Sequence, residues 1–205
     1  SIAGNAGQIA NVSGPMNAIL GPSGADESVA FTGSLTSYSN TNMGAVVRWQ
    51  DGNNWYKGYL TDTALILQKR VGGAYTQLAS APHLSFPGVD YGVRFQVIGN
   101  TISARVWNAG SPEPSSWALV VVDNSITNGY GGLRIQMTGG MTARITSFVL
   151  TSPSGPPAST PTPTPTTPVP TDYPTMPPPS PTPTRTGPAV DNAAPPAPGQ
   201  PVLAS

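Results

Sequence analysis

Apolar and polar residues alternate with period two along the chain as far as Leu150, and no stretch carries the stripe of an amphipathic helix. Val29, Phe31 and Leu35 point one way, while Ser28, Thr32 and Ser34 point the other. Further strand-like runs are Met16–Leu20, Met43–Gln50, Asn54–Thr61, Ala64–Val71, Ala74–Ala79, Tyr91–Ile98, Thr101–Asn108, Trp117–Val122, Gly132–Met137 and Thr142–Leu150. Between them sit turn formers: Gly21-Pro22, Asp51-Gly52, Gly72-Gly73, Gly99-Asn100 and Gly139-Gly140. About a dozen short strands at this spacing in one domain close as a β-sandwich or jelly roll.

One hairpin can be read residue by residue. Gly99-Asn100 forms a two-residue loop of the primed type, which fixes the pairing of Tyr91–Ile98 with Thr101–Asn108. Val97 then faces Ile102, Phe95 faces Ala104 and Val93 faces Val106, giving an apolar side. On the other side Gln96 meets Ser103, Arg94 meets Arg105 and Gly92 meets Trp107. Two arginines directly opposite repel each other unless an anion or acceptor intervenes. Trp107 can lie flat over Gly92, which has no side chain to lift it.

Lys plus Arg and Asp plus Glu number 9 each, so net charge favours neither nucleic acid nor an anionic membrane. Cysteine is absent, which excludes thiolate metal sites, a cysteine nucleophile and disulfides. No apolar run approaches the roughly 20 residues that span a bilayer, so no membrane insertion is expected.

At Pro153 the composition changes to Pro, Thr, Ser and Ala. Of 25 prolines, 19 lie between Pro153 and Ser205, too many for a packed core. The expected organisation is therefore a β-sandwich over 1–152 and a Pro/Thr-rich linker or stalk over 153–205, disordered or in polyproline II form. Such tracts are typical of exported proteins and are often O-glycosylated on Thr, which points to an extracellular or cell-surface location.

The blocks "GAVVRWQDGNNWYKGYL", "LILQKRVGGAYTQLA", "YGVRFQVIGNTISARVWNAGSPEPSSW" and "GGLRIQMTGGMTARITSFVLTS" follow one another in order. Together they resemble the LamG-like (concanavalin A-like) jelly-roll modules of large secreted bacterial proteins, especially those of Chloroflexota. The resemblance covers Ser1 to Ser152. It implies two antiparallel sheets packed face to face, one of them concave, and a noncatalytic module that contacts glycans or other extracellular proteins. Members of that family begin a strand or two earlier than Ser1. The expectation is a missing opening strand and an unpaired edge on Thr142–Leu150, open to self-assembly.

Catalysis is hard to assemble from these residues, and no catalytic set is expected. His83, the single histidine, sits in a Pro-bounded loop without an acidic neighbour. No two acids stand at i, i+2 or i+4 on a strand, as a carboxylate pair flanking one glycosidic bond would require. Asp51, Asn53, Asn54 and Asp62 could supply some oxygens to a structural calcium. The simpler reading is that "QDGNNW" is a hairpin turn, so no metal and no cofactor is expected.

Glycan recognition calls for a flat aromatic flanked by amide, guanidinium or carboxylate groups. The polar side of the hairpin offers Trp107, Arg94, Gln96 and Arg105. Arg48, on the period of Val46 and Gln50, and Tyr56 or Lys57 join them if their strands are sheet neighbours. Trp49 and Trp55 are expected in the core or at its rim, with Trp117 closing a loop onto the sandwich. Two readings stand side by side: a secreted carbohydrate-binding or adhesion module, and a structural spacer or assembly domain without a ligand. In the second, internal ion pairs fill the face that a glycan would use.

Overall fold

A computed structural model describes residues 2–3 and 6–153. They fall within the first of two units of the chain, Ser1–Thr162; the second runs from Pro163 to Ser205. The linker expected beyond Pro153 lies outside the described residues.

The strands are β1 (Ile2–Ala3), β2 (Ala6–Ala10), β3 (Gly14–Gly24), β4 (Glu27–Leu35), β5 (Asn42–Asp51), β6 (Asn54–Leu60) and β7 (Ala64–Val71). They continue with β8 (Ala74–Pro82), β9 (Tyr91–Ile98), β10 (Thr101–Asn108), β11 (Leu119–Val122), β12 (Gly129–Met137) and β13 (Thr142–Thr151). There is no helix among the described residues. Seven strands form one sheet in the order β1-β2-β13-β4-β9-β10-β11, and six form the other in the order β3-β12-β5-β6-β7-β8. All pairings are antiparallel, as expected of a two-sheet jelly-roll sandwich.

The core lies between the sheets, where alternate residues of each strand meet. Val29, Phe31, Val93, Phe95, Ile102 and Ala104 from the seven-stranded sheet pack on Met43, Ala45, Val47, Leu60, Leu67 and Ile135 from the six-stranded one. Each large apolar side chain so buried contributes about 1.5–3 kcal/mol. A Cβ on Gly58 would stand 2.8 Å from the Phe95 ring, so glycine there lets the sheets close over that side chain.

The β9–β10 hairpin has the register that its turn dictates: Val97 opposite Ile102, Phe95 opposite Ala104, Arg94 opposite Arg105 and Gly92 opposite Trp107. Gly99 carries a φ of 57°, as a primed turn requires.

Two expectations need correction. The edge of β13 is not left bare at its start, because β2 pairs with it from Thr142 to Ile145. The small, mixed residues of Ala6–Ala10 carry too weak an alternation to announce that strand. Where this pairing ends, a cleft opens between the sheets, lined by Ile9, Leu133, Ile145 and Phe148. The second correction concerns β5, where the pairing with β6 shifts between Val47 and Asp51 and Arg48 has a φ of 49°. This bulge breaks the period-two count at Arg48.

Candidate functional site

The residues singled out for a ligand fall into separate places. Arg94, Gln96, Arg105 and Trp107 do share the outer face of the seven-stranded sheet. Glu113, from the loop after β10, lies between the two arginines. Its Oε1 accepts hydrogen bonds from Arg94 Nε (2.5 Å) and Arg105 Nε (2.6 Å), and its Oε2 accepts one from Arg94 Nη2 (2.8 Å). The Arg94 hydrogen bond is the main reason that the Glu113 carboxyl is held below its ordinary range. Arg105 also donates to the Ser115 carbonyl (3.0 Å), and its guanidinium lies 4.3 Å from the Trp117 ring, so this loop folds back onto the sheet. Trp107 is half-buried against Gly92, where any Cβ would collide with the indole. The repulsion between the facing arginines is thus answered from within the chain.

Arg48 and Tyr56 are elsewhere, on the six-stranded sheet, and their side chains turn inward. The bulge at Arg48 swings its side chain to one end of the sandwich. There Nε donates to the Ala25 carbonyl (2.8 Å), Nη1 to the Ile126 carbonyl (2.7 Å) and Nη2 to the Gly99 carbonyl. Its own backbone N–H donates to Glu27 Oε2 at 2.7 Å. Tyr56 is fully buried; its hydroxyl donates to Asp123 Oδ1 (2.5 Å) and accepts from the Ile126 N–H (3.0 Å). Burial, then the Asp123 hydrogen bond, pushes that phenol up to about 12. These two residues pin loops together, and the expected ligand face does not include them.

The outer face of the six-stranded sheet gathers the side chains that the sequence reading dispersed. Tyr56, Gly58 and Leu60 of β6 face the core, so Trp55, Lys57 and Tyr59 face outward. Beside them stand Trp49 beyond the bulge of β5, Arg134 of β12, Arg70 of β7 and Tyr75 of β8. Trp49 and Trp55 lie parallel within 5°, their centroids 6.4 Å apart. Tyr75 meets Trp55 edge-on at 5.8 Å. The Arg134 guanidinium lies 4.9 Å from the Trp55 ring and 5.5 Å from the Trp49 ring, and that of Arg70 lies 4.6 Å from Tyr75. Lys57 Nζ lies 4.5 Å from the Tyr59 ring.

Polar groups hold this array in place. Arg134 Nη1 donates to Asn17 Oδ1 (2.7 Å), and Lys57 Nζ donates to Asn42 Oδ1. Arg70 Nη1 and Trp55 Nε1 both donate to the Gly52 carbonyl, at 2.7 and 3.2 Å. Burial, with repulsion from Arg134 second, pulls the Lys57 ammonium well below its ordinary range. Burial likewise lowers Arg134. Gly44, opposite Arg134 on β5, leaves room for the Lys57 stem; a Cβ there would stand 3.0 Å from Lys57 Cε.

The remaining candidates of the sequence are turn and loop residues. Asp51 accepts from the Asn53 N–H (2.6 Å) and the Asn54 amide (3.1 Å), closing the β5–β6 turn. His83 packs edge-on to Tyr91 at 5.2 Å, and burial lowers its pKa.

No family model matches the chain, and no curated protein does. Among solved structures it is similar to the carbohydrate binding module CBM66 from Bacillus subtilis: 15% identity, TM-score 0.54, covering 69% of this chain and 84% of that one. It is also similar to part of a xylan β-1,4-xylosidase from Bacillus halodurans C-125 (14% identity, TM-score 0.51, covering 62% of this chain) and spans only 28% of that enzyme. A functionally unknown protein from Saccharomyces cerevisiae is a third: 18% identity, TM-score 0.50, covering 68% of this chain and 76% of that one. At these identities the likeness is one of fold: a concanavalin-like, two-sheet jelly roll.

Proposed function

We propose that this domain is a noncatalytic carbohydrate-binding module whose glycan lies across the outer face of the six-stranded sheet. The carrying observation is the grouping of the accessible rings Trp49 and Tyr75 around the buried Trp55, with Arg134, Arg70 and Lys57, on one sheet face. Aromatic rings receive the C–H faces of sugars, and cationic and amide groups beside them hydrogen-bond hydroxyls. A carbohydrate-binding module is among the proteins that share this fold. Stacking on one exposed ring contributes on the order of 1 kcal/mol, so affinity falls in the micromolar to millimolar range. A glycosidase reading is disfavoured because the acid beside this face, Asp51, is engaged by Asn53 and Asn54 in a turn.

In this reading the module is LamG-like, extracellular or at a cell surface, and the Pro/Thr segment from 153 to 205 is its stalk. A second reading, a structural spacer without a ligand, is favoured by one observation. Glu113 already fills the face that carries Arg94 and Arg105, as a spacer would. A glycan array separates the two, using the full chain and the Trp49→Ala, Tyr75→Ala and Trp107→Ala variants. Glycan binding that Trp49→Ala and Tyr75→Ala each weaken about tenfold, and Trp107→Ala leaves intact, supports the module. Failure of the unaltered chain to bind any glycan supports the spacer.

A further inference from the structure

Eight lysines and arginines lie among the described residues, and five of them have a carboxylate within 4.0 Å. Arg48 has Asp26, Lys69 has Asp123, Arg94 and Arg105 share Glu113, and Arg144 has Asp90. The other three are Lys57, Arg70 and Arg134. All three stand on the outer face of the six-stranded sheet. Their hydrogen-bond and ring partners there are neutral: the amide oxygens of Asn42 and Asn17, the carbonyls of Gly52 and Gly73, and aromatic rings; only Arg70 also feels a described carboxylate, that of Asp51, beyond ion-pair distance.

Lys57 and Arg134 are only 4% and 8% exposed. Cations held so far from water without an anion are costly, and the facing arginines on the opposite sheet show how this chain removes such a cost, by supplying Glu113. Among the described residues, no Asp or Glu plays that part between Lys57 and Arg134. The backbone at Gly44 is covered by neighbours: a Cβ there would stand 2.5 Å from Tyr59 Cβ and 3.0 Å from Lys57 Cε. Gly44 is paired opposite Arg134, and the Lys57 stem runs past the place where a Gly44 side chain would be. Arg70, half-buried beside Tyr75, extends the same charge along the sheet.

Building on the reading of this face as a glycan site, we infer that its ligand is an acidic polysaccharide, with a sugar carboxylate or sulfate drawn to Arg134 and Lys57 where they border the aromatic rings. Arg70 meets the next charged unit of the polymer. The aromatic rings take the sugar faces, and the ligand's acidic groups supply the counter-charge that no described carboxylate gives the three cations at ion-pair distance.

The test measures binding of the full chain to polygalacturonate and to the same polymer with its carboxyls methyl-esterified. Chondroitin sulfate and neutral xylan complete the set. The expected result is at least about tenfold tighter binding to the free acid than to the ester, a preference that shrinks as salt is raised. Lys57→Met and Arg134→Leu abolish the preference. Should either fail to fold in a circular-dichroism melt, Arg70→Gln, at a less buried position, decides by reducing the preference severalfold. Tighter binding of chondroitin sulfate, lost in the same variants, supports the acidic-ligand site and gives it a preference for that sulfated uronate polymer. Equal binding of acid and ester, still weakened by Trp49→Ala, overturns the inference and leaves the glycan face standing. No binding to any of these polymers or to the wider array overturns both.

Discussion

Arg48 holds together loops that no backbone ladder joins. One guanidinium answers the carbonyls of Ala25, Gly99 and Ile126, and the backbone twist that aims it there is also what brings its N–H to Glu27. Replacing it with alanine leaves three carbonyls without their donor and removes the cation beside Asp26. Arg48→Ala is expected to cost about 3 kcal/mol or more, read from urea unfolding; a loss under about 1 kcal/mol contradicts the clamp. The same residue shows why part of the site was hidden in the sequence. Counting by twos from Val46 puts Arg48 on the outer face, and only the bulge, an irregularity without a clear residue signature, sends it inward and brings Trp49 out.

At the level of elements, the β9–β10 hairpin was the most legible part of the chain. A two-residue turn and unbroken alternation determine its register without help from the rest of the fold. What the pattern does not contain is the loop that follows, which returns Glu113 to the arginine pair and Trp117 to Arg105. Glu113→Gln keeps the shape but leaves Arg94 and Arg105 facing each other without a counter-charge. Because all three groups are partly solvated, the expected loss is about 1–2 kcal/mol, reduced in high salt. A variant as stable as the parent at low salt would show that the glutamate is not what reconciles the pair.

At the level of the whole molecule, strand order creates the proposed site. Arg134 of β12 stands by Trp49 and Trp55 only because β12 pairs with β5 rather than with a neighbour in sequence. Alternation reveals that strands exist and which residues share a strand face, but not which strands lie side by side. The fold class was therefore readable, while the outer face of the six-stranded sheet was not.

Stability against pH is also a property of the whole fold. Burial raises Glu27 from 4.5 to about 7 in the folded chain, so the fold holds a proton there that the unfolded chain releases. Stability from Glu27 is complete below about pH 4.5 and is lost as pH rises to about 7. Glu113 and Asp123 act with the opposite sign. Arg94 chiefly lowers the first; hydrogen bonds from Lys69, Tyr56 and Ser125 together outweigh burial at the second. Their contribution is present above the ordinary carboxylate range and is lost as pH falls through and below it. Calorimetry is expected to show a maximum in Tm near about pH 5, with Glu27→Gln removing the decline between pH 5 and 7. A parent Tm that rises steadily to pH 8 contradicts this assignment.

The four tryptophans divide the two sheet faces between them: Trp49 and Trp55 on the six-stranded sheet, Trp107 and Trp117 over the seven-stranded one. A nitrogen-15 correlation spectrum resolves their four indole N–H signals in the full chain. Titrating in an oligosaccharide that the glycan array shows to bind therefore reports directly which face is used. A glycan on the six-stranded face moves the Trp49 and Trp55 signals in a saturable way while those of Trp107 and Trp117 stay in place. Movement of Trp107 or Trp117 alone would contradict that placement.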